Sequence, residues 1–302
     1  MNILVASDIA PDAITLLKKH FSVDVATGLS EAALAEKIPG YDALVVRSKP
    51  RVPRSVIEAS SLKVVARAGV GLDNIDLEAC KERGIQVVNS PTALSESVAE
   101  LVFAMLLSFE RNIVRADNSM KEGLWIKKEL KGFELHGKTL GIIGFGRIGS
   151  HMAKIAGGFG MRVIGYDVHW DAKTAEALGV EFWDKDLLIQ EADYLSLHVP
   201  LLPQTKGMIS KRELGMMKET AVIVNTSRGG IIDEEALYDA LEAGTIRGAC
   251  LDVFEKEPPE DSPLLHLDNV LLTPHIGAST NEAQDKAGVI IAEKLVELSK
   301  SL

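Results

Sequence analysis

The chain has 302 residues, about twice the length of an average domain, so two domains are expected. Apolar residues make up 46% and charged residues 25%, with Gly (25) and Pro (11) near background, which excludes collagen-like and low-complexity classes. A net charge of −10 without a basic tract argues against general nucleic-acid binding, and an anionic ligand would need a local basic pocket.

The first part alternates short apolar runs with helix-like segments. Strands are predicted over 2–6, 23–25, 43–46, 64–66 and 86–88, and helices over 11–20, 31–38, 53–59 and 77–83. Pro11 suits a first helical turn. Continuous rather than alternating apolar runs suit parallel strands covered on both faces. The pattern over 95–120 predicts one long helix, with Ser97 as N-cap and Glu100 completing a capping box. The polar segment 121–138 reads either as an exposed arm or as a contact with a second copy. A second series follows, with strands over 139–143, 162–166, 194–197, 221–225, 249–251 and 270–272. Its helices are predicted over 147–159, 172–178, 184–191, 211–217 and 233–243, the last started by Asp233 and stopped by Gly244. A terminal helix over 282–299 closes the chain. The pattern is that of two parallel α/β units.

Two cysteines, Cys80 and Cys250, exclude a disulfide framework and offer no metal-ligand spacing, so no metal is expected and a reducing, cytoplasmic setting fits. The N-terminus does not read as a signal peptide. The most apolar long stretch, 97–109, is far shorter than the ~20 residues that span a bilayer, so no membrane contact is expected.

The strand TLGIIG runs into Gly144-Phe145-Gly146-Arg147-Ile148-Gly149 and then a helix. In that context the three glycines serve a tight turn, close approach of a pyrophosphate, and helix–strand packing. The helix N-terminus adds N–H donors and partial positive charge. The next strand ends in Asp167, a carboxylate that accepts from ribose hydroxyls and repels a 2′-phosphate, favouring NAD over NADP. Parallel strands gather other polar residues at the same edge: Arg228 after AVIVNTS, Asp252 after ACL, and His275 after VLLTP. Arg228 can grip a carboxylate with two hydrogen bonds. His275 can exchange a proton near neutral pH, with His198 its best rival. A carboxylate could orient that imidazole, and the residues alone leave Glu255, Glu257 and Asp252 open. Arg47 and Arg67 follow strand-like runs in the first domain and are candidates for the far, anionic end of a substrate.

Several motifs in fixed order carry a family resemblance. They are Val46-Arg47-Ser48, Arg67-Ala68-Gly69-Val70-Gly71-Leu72-Asp73-Asn74, the glycine turn, Asn225 to Gly230, Leu251-Asp252-Val253-Phe254 with Glu257-Pro258, and Pro274 to Thr280. Over essentially its whole length the chain resembles the D-isomer-specific 2-hydroxyacid dehydrogenases, and most closely their D-3-phosphoglycerate dehydrogenase branch. The resemblance implies two doubly wound parallel sheets, Rossmann-like and flavodoxin-like, with the active site in the cleft between them. It implies a discontinuous substrate domain, 1–94 plus 282–302, with an NAD-binding domain, 95–281, inserted. It places catalysis on Arg228, Glu257 and His275. It places NAD against Val70, Gly144, Gly146, Arg147, Ile148, Gly149, Asp167, Val199, Thr226, Ser227, Asp252, Gly277 and Ala278. Substrate would meet Arg47, Ser48, Arg67, Ala68, Gly69 and Arg228. The implied reaction oxidises D-3-phosphoglycerate to 3-phosphohydroxypyruvate in serine biosynthesis, in a homodimer formed through the NAD-binding domain.

Two departures bear on that expectation. Family members often carry an Asn-Gly-Asn-like stretch where this chain reads Asn89-Ser90-Pro91-Thr92-Ala93-Leu94. The chain also stops at Leu302, where longer members continue into a serine-sensing regulatory domain, so that feedback is expected to be absent. Leu94 keeps other 2-hydroxy acids open: glyoxylate, hydroxypyruvate, lactate or sulfolactate. An NAD-sensing corepressor of the same fold is the reading from a different class.

Overall fold

The computed structural model describes residues 1–300. The chain forms two compact units, Met1–Ser95 with Ala278–Leu302, and Glu96–Gly277. The boundary after Gly277 lies before the 281/282 junction that the resemblance implies, and places Ala278 in the first unit.

In the first unit β1 (Asn2–Val5), α1 (Pro11–His20), β2 (Ser22–Val25), α2 (Glu31–Lys37), β3 (Ala43–Val46), α3 (Arg54–Glu58), β4 (Val64–Arg67), α4 (Leu77–Glu82) and β5 (Gln86–Asn89) alternate. The strands pair in parallel in the order β2-β1-β3-β4-β5. All four side chains of β3 are buried, because successive residues point to opposite faces and both faces are covered. Ile3, Val5, Ala43 and Val45 join one core with Ala13 and Leu17. Leu4, Leu44, Val46 and Val65 join the other with Leu34 and Ile57.

The second unit opens with α5 (Ser95–Glu110) and α6 (Ile113–Lys121). It continues through β6 (Thr139–Ile143), α7 (Arg147–Gly158), β7 (Arg162–Tyr166), α8 (Ala172–Leu178), β8 (Glu181–Phe182), α9 (Lys185–Glu191) and β9 (Tyr194–Leu197). The last part holds α10 (Lys211–Met216), β10 (Val222–Asn225), α11 (Glu234–Glu242), β11 (Gly248–Leu251) and β12 (Val270–Leu272). The sheet is parallel throughout, in the order β12-β11-β10-β9-β6-β7-β8. The final helix, α12 (Asn281–Leu298), starts on Thr280, whose Oγ1 accepts from the Ala283 N–H at 3.2 Å. It lies on the first unit, burying Ala283, Ala287, Ile291 and Leu295 in the core that holds β1 and β3. Gly288 lets it pack closely, since a Cβ there would stand 3.2 Å from that of Ala13. Lys294 Nζ donates to the Asn89 carbonyl at 2.7 Å.

The structure corrects the helix predicted over 95–120. Asn112 adopts a left-handed conformation, φ 52°, and splits it into α5 and α6. Among residues with a Cβ, Asn tolerates that region best. The helix begins at Ser95 as predicted, and Ser97 therefore lies in its first turn rather than at the cap. Just before the break, the side chain of Glu110 is fully buried and ion-paired with Arg247. The Arg247 guanidinium lies 5.3 Å from the ring centre of Phe109 and 4.8 Å from that of Phe133. The segment 121–138 is thus pinned at Phe133, while Leu124 and Trp125 are exposed, Trp125 to 78%. Strand β8 was not predicted; two residues are too few to show a period.

Among the described residues no helix is long and apolar enough to cross a membrane. Among them no cluster of His, Cys, Asp and Glu could hold a metal ion.

Leu295 is fully buried on α12. Leu295→Ala should cost about 2–5 kcal/mol, read by denaturant unfolding followed by circular dichroism. A cost below about 1 kcal/mol would show that the first unit's core does not depend on this helix.

Candidate active site

In the second sheet the strand order reverses at β6, which lies between β9 and β7. Ligands bind outside the carboxyl ends of strands at such a switch. Gly144 follows β6 there with φ 97°, and its N–H donates to the Tyr166 carbonyl at 2.8 Å. A Cβ on Gly144 would stand 2.5 Å from the His198 carbonyl oxygen, and one on Gly149 2.7 Å from the Gly144 carbonyl oxygen. Gly146 has nothing within 4 Å and is the N-cap of α7. The turn is therefore closed where strand and helix meet and open where a pyrophosphate would approach. Arg147 is exposed beside it and Ile148 packs inward. Asp167 follows β7 and accepts from the His169 N–H at 2.8 Å.

Two buried polar atoms at neighbouring strand ends make no hydrogen bond within the chain: Thr226 Oγ1 after β10 and His198 Nδ1 after β9. They are groups that a bound nucleotide could satisfy. His198 Nε2 lies 2.8 Å from Ser196 Oγ, and burial pushes its imidazole down to about 4. A histidine held neutral in this way is a poor proton acceptor at pH 7. Val199 packs beside it on the core.

The turn after β10 is shaped by Asn225. Its Oδ1 accepts from Ser227 N–H at 3.1 Å and Oγ–H at 2.8 Å, and its Nδ2 donates to the Arg228 carbonyl at 2.9 Å. Arg228 is half-buried, with Nη1 donating to the Ser227 carbonyl at 2.6 Å.

Of the three carboxylates left open by the sequence, Glu257 is the one against the imidazole, with Oε2 2.8 Å from His275 Nδ1. Its Oε1 accepts from the Phe254 N–H at 3.2 Å. With Nδ1 donating to the carboxylate, Nε2 is the nitrogen that can take a proton. His275 itself is left-handed, φ 54°, which is costly for a residue with a Cβ and persists where neighbours over-determine it. The neighbour is Asp252, completely buried. Its Oδ1 accepts from Thr273 Oγ1 at 2.6 Å and Ile276 N–H at 2.8 Å, and its Oδ2 from Gly277 N–H at 2.8 Å. One carboxylate thus grips the chain on both sides of His275.

The first unit carries the remaining candidates: Arg47, Ser48, Arg67, Ala68, Gly69, Val70 and Ala278. Its sheet reverses order at β1 and β3. There Ser7 Oγ accepts from Arg47 N–H at 2.9 Å and donates to the Lys49 carbonyl at 2.5 Å, which shapes the turn that exposes Ser48. The Arg47 guanidinium donates to Gln284 Oε1 at 3.2 Å and the Asp8 carbonyl at 3.4 Å. Arg67 ends β4, and Gly69 leaves room for it; a Cβ there would lie 2.8 Å from Arg67 Nη1. Ala68 is buried, Val70 is exposed, and Ala278 packs on the first unit's core. Leu94 is buried in that core too. Ser7, Asn225 and the turn-holding part of Asp252 carry no signature by residue spacing. A short polar residue just past a strand end was the one available sign.

Comparison with known proteins decides the family. Residues 103–277 match the D-isomer specific 2-hydroxyacid dehydrogenase family in its NAD binding domain. The chain belongs to that family. It is 54% identical over 297 residues to D-3-phosphoglycerate dehydrogenase of Methanocaldococcus jannaschii, covering 98% of this chain and 57% of that protein. It therefore spans little more than half the length of that relative. It is 50% identical over 289 residues to hydroxypyruvate reductase of Thermotoga maritima, covering 94% of both. The crystal structure of TT0316 protein from Thermus thermophilus superposes with a TM-score of 0.90 at 36% identity, covering 100% of this chain and 97% of that one. The glycine turn and the polar groups at β9 and β10 lie within the family's NAD-binding domain, and NAD is the cofactor they fit.

The state of His198 is directly observable. Its imidazole signals in an NMR titration should stay neutral across about pH 5 to 8, because the folded value has moved down to about 4. A midpoint near the ordinary ~6.5 would put His198 back among the candidate bases.

Proposed function

We propose that the chain is an NAD-dependent dehydrogenase acting at C2 of a D-2-hydroxy acid, with D-3-phosphoglycerate and 3-phosphohydroxypyruvate as its substrate pair. The observation that carries this reading is the His275–Glu257 pair at 2.8 Å, on a turn held by buried Asp252. When bound, NAD would supply the hydride acceptor for C2 in oxidation and the hydride donor in reduction. His275 takes the C2 hydroxyl proton on Nε2 in oxidation and gives it back in reduction. Glu257 stabilises the imidazolium so formed and holds its tautomer. Arg228 receives the substrate carboxylate and polarises the C2 oxygen. Gly144, Gly146, Arg147, Ile148 and Gly149 would hold the pyrophosphate side of NAD and Asp167 the adenosine ribose. Val70, Val199, Thr226, Ser227, Asp252, Gly277 and Ala278 are the further residues that would contact NAD.

For the substrate phosphate, Arg67 and Arg47 are the leading groups, with the Ala68–Gly69 backbone and Ser48 as further candidates. The Arg47 guanidinium donates to Gln284 and to the Asp8 carbonyl. One observation favours a second reading, hydroxypyruvate reduction: the Thermotoga maritima protein of that name matches this chain over 94% of both lengths. The two diverge on a phosphate-bearing substrate. His275→Ala should lower kcat by about 10²–10⁴-fold while NAD binding, followed by fluorescence titration, is unchanged. Arg67→Ala should lower kcat/KM for 3-phosphoglycerate by about 10–100-fold more than for an uncharged-tail analogue. Equal losses on both would favour the phosphate-free reading, and full turnover of His275→Ala would remove it from its role.

The same reading makes the chain a homodimer through its NAD-binding domain. Ile113, Val114 and Met120 on α6, with Leu124 and Trp125 beyond it, leave an apolar surface of the kind a second copy covers. Two free, buried thiols, Cys80 and Cys250, suit a reducing cytoplasm. Sedimentation should give a dimer for the unmodified chain, and Trp125→Asp combined with Met120→Asp should give a monomer. A monomeric unmodified chain would refute the assembly.

A further inference from the structure

The two loops that carry Arg228 and Glu257 meet at one peptide group. A Cβ on Gly229 would stand 1.8 Å from the Phe254 carbonyl oxygen, 2.0 Å from its carbon and 2.5 Å from the Glu255 nitrogen. Only a glycine leaves the Arg228 loop seated on the Phe254–Glu255 peptide. From that peptide the N–H of Glu255 donates to Glu234 Oε1 at 2.5 Å. The N–H of Phe254, one peptide earlier, donates to Glu257 Oε1, and Glu257 Oε2 reaches His275. A line of contacts therefore runs from Glu234 through the 254–257 turn to the imidazole.

Glu234 is not needed where a first-turn residue normally serves. The start of α11 is already capped by Asp233, whose Oδ1 accepts from the Ala236 N–H at 3.0 Å. Its neighbours make the position an unfavourable one for a carboxylate. Burial pushes its carboxyl up, the Glu255 N–H pulls it down, and the charges of Glu255 and Glu257 push it up again. Glu234 also lies on the same short segment as Arg228, joined to it by Gly229, Gly230, the buried Ile231 and Ile232, and Asp233. The isolated Ile209–Ile232 bridge ties that segment to the chain just before α10.

We propose that Glu234 is a positioning residue: its carboxylate holds the Phe254–Glu255 peptide, and through it the Glu257–His275 pair, in register with the Arg228 loop. It touches neither substrate nor cofactor. Its effect is on the orientation of the proton-transfer pair, so it belongs to kcat rather than to binding. The inference rests on the dehydrogenase reading of the site, and its test separates the two.

The test compares Glu234→Ala and Glu234→Gln with the unmodified chain, using NAD and 3-phosphoglycerate or hydroxypyruvate with NADH. Glu234→Ala should lower kcat about 10–100-fold, the cost of a misplaced catalytic pair, with the Kd for NAD and the thermal midpoint close to unchanged. Glu234→Gln keeps an acceptor oxygen for the Glu255 N–H and should recover most of the loss. Unchanged kcat in Glu234→Ala, or equal losses in Ala and Gln, would overturn the proposal. So would a parallel fall in NAD affinity and thermal midpoint. A second readout needs no turnover. The downfield imidazole N–H proton of His275, bonded to Glu257, should broaden or vanish by NMR in Glu234→Ala and persist in Glu234→Gln. If the unmodified chain turned over no 2-hydroxy acid, the dehydrogenase reading would fail while this signal still tested the clamp. If the signal were identical in all three proteins, the clamp would fail whatever the activity.

Discussion

A parallel strand delivers its chain to the next element only at its carboxyl end, so an all-parallel sheet collects its loops along one edge. Every candidate group in this protein owes its place to that constraint. Gly144, Asp167, His198, Thr226, Asp252 and Thr273 each follow a strand of the second sheet, far apart in sequence and side by side in space. Arg47 and Arg67 have the same relation to the first sheet. The strands can run this way because their side chains are apolar in both directions, as the fully buried ALVV of β3 and VIVN of β10 show. Packing and function are thus set by the same residues: the apolar run builds the sheet, and the first polar residue after it becomes available to a ligand.

At that edge the working groups are held by buried polar side chains rather than by regular structure. Asp252 is the clearest case. An unpaired buried carboxylate would be very unfavourable, and here it is balanced by three donors, two of them backbone N–H groups on the far side of His275. The left-handed conformation of His275 follows from that grip. Asn225 does the same for the Arg228 turn and Ser7 for the Arg47 turn. An imidazole fixed in tautomer and direction before substrate arrives loses little on reaching the reactive geometry.

The parts of this arrangement that the sequence made legible were those with a period or a spacing. Apolar runs gave the parallel sheets, and glycines between a strand and a helix gave the phosphate turn. The long helix over 95–120 failed at Asn112, because the apolar pattern continues through a break made by one backbone angle. The choice among Glu255, Glu257 and Asp252 came only from the family resemblance and was invisible to spacing, because all three follow one strand within a few residues. Their different tasks depend on which backbone N–H each meets. Glu234 was hidden for the opposite reason: an acidic residue in a helix's first turn looks ordinary, and the loop it holds is distant in sequence.

The return of α12 to the first unit has a consequence for synthesis. Every residue of the second unit has been made once the ribosome passes Gly277, whereas the core around β1 and β3 still lacks Ala283, Ala287, Ile291 and Leu295. The unit whose synthesis starts before the other's is therefore the last to be completed. Its sheet leaves the ribosome with one apolar face covered by α1 alone, and the rest of that face waits for α12.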